Sequence, residues 1–150
     1  MKRMIALTFL AATLISMGSA RAHAQAIGFK ASEGCSLATL NGAYGEVLRG
    51  EVLNVGPIVA VGVSTFDGKG HFVADQTINL NGDVFEAPLT GTYTVNRDCT
   101  GIANPVGTGP HSFVIIDGGK QMDLMDNNSA EVLTIHFTKV GSGMNDQHED

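Results

Sequence analysis

From Ala43 to Val140 the sequence is a succession of short segments in which apolar and polar residues alternate, each closed by turn chemistry. In that stretch no window carries an apolar i, i+3, i+4, i+7 stripe free of Gly or Pro, so a helical domain is excluded. The alternation predicts strands at about Ala43–Leu48, Ile58–Phe66, His71–Leu80, Val84–Val95, Cys99–Ala103, His111–Ile116, Lys120–Met125 and Glu131–Val140. Asp67-Gly68-Lys69-Gly70, Asn96-Arg97-Asp98, Asp117-Gly118-Gly119 and Asp126-Asn127-Asn128-Ser129 supply turns, and Pro105 to Pro110 reads as a loop. Asn81-Gly82 is a two-residue hairpin signal, because a type I′ turn needs φ > 0 at both central residues.

Eight strands joined by tight turns favour an antiparallel meander, and closing it into an up-and-down β-barrel removes its edges. A two-sheet sandwich is the alternative. It needs long crossovers, for which only Asn54–Pro57 and Pro105–Pro110 are available. The period of two sorts the faces. Phe72, Ala74, Ile78 and Leu80 share one face of the third strand. Phe85, Ala87, Leu89, Tyr93 and Val95 share one of the fourth, and Leu133, Ile135 and Phe137 one of the eighth. A closed barrel is expected to gather Phe72, Ile78, Phe85, Leu89, Tyr93, Leu133, Ile135 and Phe137 inside.

Ahead of the strands, residues 1–24 read as a signal peptide. Lys2 and Arg3 form a positive start, Ile5 to Met17 is uncharged and mostly apolar, and Ala22-His23-Ala24 places cleavage before Gln25. A periplasmic or secreted location follows, with no membrane insertion after processing. The domain is then 25–140, and the acidic stretch 141–150 is expected to be a flexible tail. Cleavage takes the bases from 9 to 6 against 15 acids, moving the net charge from −6 to −9. The remaining bases are scattered singly, which excludes a nucleic-acid partner. In an exported chain the two cysteines, Cys35 and Cys99, are expected to form a disulfide.

Leu40-Asn41-Gly42-Ala43-Tyr44-Gly45, Phe66-Asp67-Gly68-Lys69-Gly70-His71-Phe72 and Gly91-Thr92-Tyr93-Thr94-Val95-Asn96-Arg97-Asp98-Cys99-Thr100-Gly101 together resemble a group of small exported bacterial β proteins of unknown function. The resemblance implies export, a Cys–Cys link and a compact β fold, and no activity. In strand count and turns the chain is similar to the allene-oxide-cyclase and dirigent barrels, and more distantly to the lipocalins. That likeness concerns architecture alone.

No nucleotide-binding glycine motif, nucleophile elbow, zinc spacing or complete calcium loop is present, so no cofactor and no metal are expected. Tyr44 and Tyr93 bring apolar bodies with hydroxyls that need partners. Glu46 shares a strand face with Tyr44 and Leu48, which makes Glu46, Tyr44 and Tyr93 the candidates for acid–base chemistry. Tyr44, Phe72, Gln76, Phe85 and Tyr93 are the candidate ligand contacts. The expected function is binding of a small apolar or amphipathic molecule in the barrel interior. A cyclase- or isomerase-like enzyme using the same cavity and a non-catalytic envelope protein are the alternatives.

Overall fold

A computed structural model describes residues 34–140. The expected signal peptide with its cleavage site and the expected acidic tail lie outside the described residues. Eight strands run in chain order: β1 (Asn41–Val52), β2 (Gly56–Asp67), β3 (His71–Leu80), β4 (Asp83–Val95), β5 (Thr100–Pro105), β6 (His111–Ile116), β7 (Gln121–Asp126) and β8 (Glu131–Lys139). Each pairs antiparallel with the next, and β8 pairs back onto β1 from Tyr44↔Lys139 to Val52↔Glu131. The fold is a closed up-and-down barrel, all-β as the alternation requires, and not a sandwich.

The turns form where their residues allow them. Asn81 and Gly82 both have positive φ, 52° and 103°, between the paired ends Leu80 and Asp83. Asp67 accepts hydrogen bonds from the amides of Lys69 (2.7 Å) and His71 (3.0 Å). Those two donors hold its carboxyl down at a pKa of about 2. Closure also depends on bare backbone at inward positions. A Cβ at Gly50 would collide with Val132 and Leu133 of β8, and one at Gly101 with the Phe113 ring and the Thr94 carbonyl. Glycine lets neighbouring strands bend together there.

The two ends of the barrel differ. At one end lie the β2–β3, β4–β5 and β6–β7 turns, and the segment 35–40 runs across it with one 3-10 turn at Leu37–Thr39. Leu40 is fully buried there. The Tyr93 hydroxyl donates to the Leu40 carbonyl (3.0 Å), with the Leu37 carbonyl at 3.2 Å, and the Tyr44 hydroxyl donates to the Gly119 carbonyl (2.6 Å). Cys35 and Cys99 form a disulfide that ties this cap to the β4–β5 turn. The far end carries the β1–β2, β3–β4, β5–β6 and β7–β8 connections and has no such cap among the described residues.

Inside, Phe66 is the hub. Its ring centroid lies 5.3 Å from Tyr44, 5.6 Å from Phe72, 5.3 Å from Tyr93 and 6.1 Å from Phe137. Phe72, Tyr93, Leu133, Ile135 and Phe137 are buried as the strand phases imply, and Ile78 and Leu89 are half-buried. Phe85 departs from the expected interior set: it is 46% exposed. Its phase is inward, but β5 pairs only with Gly91–Val95, so the first half of β4 overhangs the far end.

Candidate functional site

Beneath the aromatic hub the inward positions of β1, β2 and β3 turn polar. Glu46 is 4% exposed, and its carboxylate accepts hydrogen bonds from Ser64 Oγ (2.6 Å) and Gln76 Nε2. Gly62 stands between Glu46 and Gln76 in the register, so the side chains meet across a strand that contributes none. Burial pushes the Glu46 carboxyl above its ordinary range, and the two donors offset part of that. His111 on β6 faces the same space, with Nε2 3.5 Å from the buried Asp126 carboxylate. Burial lowers its pKa, and Asp126 opposes the shift.

These groups surround a cavity of about 30 Å³, walled otherwise by Phe66, Phe72, Leu124, Ile135 and Phe137. That is space on the scale of one or two waters, and far below the roughly 300 Å³ at which ligand pockets begin. Where a ligand chamber was expected, the structure places a small cavity with a mostly apolar lining beside Glu46.

The candidate contacts separate accordingly. Phe72, Gln76 and Glu46 come together on this cavity. Tyr44 and Tyr93 do not join them. The partners their hydroxyls need are backbone carbonyls of the cap and the β6–β7 turn. Phe85 lies outside the barrel wall's protection at the far end. Ser64 and His111 were not singled out as site residues. Their side chains are inward by the same alternation that placed Glu46, so strand phase was the available signal.

Two inward-facing groups at this cavity contribute to the pH dependence with opposite signs. The buried Glu46 carboxyl keeps its proton to higher pH than the unfolded chain does, so stability falls as pH rises from about 4.5 through the folded pKa. His111 is depressed when folded, so its contribution is lost as pH falls below about 6.5. Comparison of Glu46→Gln with the parent cancels the His111 part. The stability difference should move in favour of the variant as pH rises above 4.5, measured by urea unfolding from pH 4 to 8. A difference that stays flat would rule out a perturbed Glu46.

On the outer wall, β5 to β8 form a groove of about 720 Å³. Ile102, Val114 and Met125 make its apolar floor, with Val114 41% and Met125 54% exposed. Asp123 and His136 sit directly opposite in the β7–β8 register and face outward at its edge. Asp123 Oδ1 lies 2.6 Å from His136 Nδ1, and a carboxylate only accepts, so Nδ1 donates. That leaves Nε2 to accept, and the Thr138 hydroxyl lies 3.3 Å from it. Both side chains are about half exposed, so the pair adds little stability. Its consequence is to fix the imidazole's orientation at the groove edge. The Asp123–His136 pair was not visible in the sequence, because only the register between β7 and β8 brings the two together. His111 and Ser112, adjacent in sequence, point to opposite sides: His111 inward, and Ser112 outward to Asn127.

Among the described residues no cluster of three or more His, Cys, Asp or Glu is placed to hold a metal ion, and no helix is long and apolar enough to cross a membrane. No family model matches the chain, and no curated protein matches it.

Proposed function

We propose that this chain is an exported, disulfide-bonded barrel that binds a small amphipathic molecule on its outer wall. The observation that carries this is the β5–β8 groove, whose volume of about 720 Å³ falls in the range of small-molecule sites and whose apolar floor ends at an oriented imidazole. Val114, Met125 and Ile102 would remove apolar surface of the ligand from water, while His136 and Thr138 would meet its single polar group. The Cys35–Cys99 link is compatible with an oxidising compartment, which supports the export part of the proposal. The small volume of the cavity beside Glu46 favours the outer wall over the interior as the ligand site.

Titration with the neutral fluorescent probe N-phenyl-1-naphthylamine tests the site. Saturable binding is expected, and Met125→Asp should weaken it by about tenfold or more, because the probe would have to desolvate a carboxylate. Glu46→Gln should leave it unchanged. Loss of binding in Glu46→Gln but not in Met125→Asp would return the site to the interior. No saturable signal at all would leave the barrel as a structural or interaction protein.

A further inference from the structure

The overhang of β4 leaves a length of sheet edge without a partner, although the barrel is closed. Tyr93 N–H donates to the Gly70 carbonyl at 2.8 Å, which fixes the odd-numbered residues of β4 as those bonded to β3. The even-numbered residues direct their amides and carbonyls to the other side. At Thr90 that side is occupied, because the Thr90 carbonyl accepts from Val106 N–H at 2.9 Å. Toward the hairpin, β5 offers nothing further, since its pairing starts at Gly91↔Pro105. Among the described residues no partner takes the N–H groups of Val84 and Glu86 or the carbonyls of Val84, Glu86 and Pro88.

The surroundings of this edge are apolar and acidic. Val84 is 64% exposed and Phe85 46%, and Val106 and Leu53 are exposed at the same end. Asp83, Glu86, Glu51 and Glu131 also lie there, with Arg49 on the outer face of β1. The other described bases, Lys69, Arg97, Lys120 and Lys139, all lie at the capped end. Asp67, Asp98 and Asp117 share that end with them, so the described residues leave the net negative charge on the end that exposes the free strand edge.

We propose that the Val84–Pro88 edge of β4 is a docking site for an extended peptide segment that alternates apolar and basic residues. Such a strand takes up the free backbone groups by β-augmentation. Its apolar side chains on one face cover Phe85 and Leu89, and its basic side chains on the other meet Glu86. Pro88 supplies a carbonyl but no N–H, so the contact is short. The same charges disfavour a second copy of this chain: antiparallel self-pairing centred on Glu86 would place two Glu86 carboxylates against each other. An acidic or proline-bearing edge is a known way of blocking self-association, and it leaves a basic strand admissible.

The test uses the processed chain and an acetylated, amidated heptapeptide alternating valine and lysine. Amide exchange at Val84 and Glu86 should slow by about tenfold or more when the peptide is saturating. Glu86→Lys should weaken the lysine peptide by about tenfold and favour the matching valine–glutamate peptide. Equal binding of a lysine peptide N-methylated on its edge-facing amides would overturn the proposal, because backbone pairing would be absent. So would protection of both amides in the dilute protein alone, which would mean that the chain covers its own edge. Protection that appears only as protein concentration rises would assign the edge to a second copy.

Discussion

Phe66→Ala should destabilise the barrel by about 3–5 kcal/mol, the usual cost of emptying a large aromatic site. Phe66 is 3% exposed and touches four other rings, contributed by β1, β3, β4 and β8. Edge-to-face and stacked pairs add about 0.5–1.5 kcal/mol each beyond the area they bury, so the loss exceeds a simple transfer cost. The site has little freedom to collapse, because Tyr44 and Tyr93 are held by their hydroxyl bonds to the cap and the β6–β7 turn. A drop of more than about 10 °C in melting temperature should accompany the change. Phe85→Ala is the control, since that ring is half in water and should cost well under half as much. Equal losses at the two positions would mean that Phe66 is not the hub of the interior.

Removing the disulfide is the second large effect. The double variant Cys35→Ala/Cys99→Ala should lose roughly 2–5 kcal/mol, as native bridges in small secreted domains do. The bridge spans 64 positions of chain, so its removal frees a long loop in the unfolded state. It also releases the cross-link between the segment 35–40 and the β4–β5 turn. Thiol titration of the unreduced parent should find no free thiol. Two titratable thiols in folded, oxidised protein would refute the bridge. Alanine at position 99 adds no backbone strain of its own, since Cys99 already sits at φ 69°.

The two effects differ in how far the sequence announced them. The cysteines could be paired from count and the expected compartment. Phe66 was readable only as one inward residue of β2, no different in pattern from Ile58 or Ala60. Its place at the centre arises because closure brings residues from distant strands around it. The same contrast holds for the small cavity beside Glu46. Alternation placed Glu46, Ser64, Gln76 and His111 on inward faces, but Glu46 and Gln76 meet only because Gly62 stands between them.

What the sequence by itself determined was the strand succession, the turns and the face each side chain takes. Those are local properties: a period of two, and backbone preferences of Gly, Asn and Asp over a few residues. Tertiary structure decided the rest. The length of β5 relative to β4 left Phe85 in water and part of β4 unpaired. The β7–β8 register set Asp123 against His136, and the packing after closure left a cavity of about 30 Å³ beside Glu46. Each of these depends on how residues far apart in the chain are aligned across strands. Alternation names a residue's side of the sheet, and only pairing fixes its neighbours along and across it.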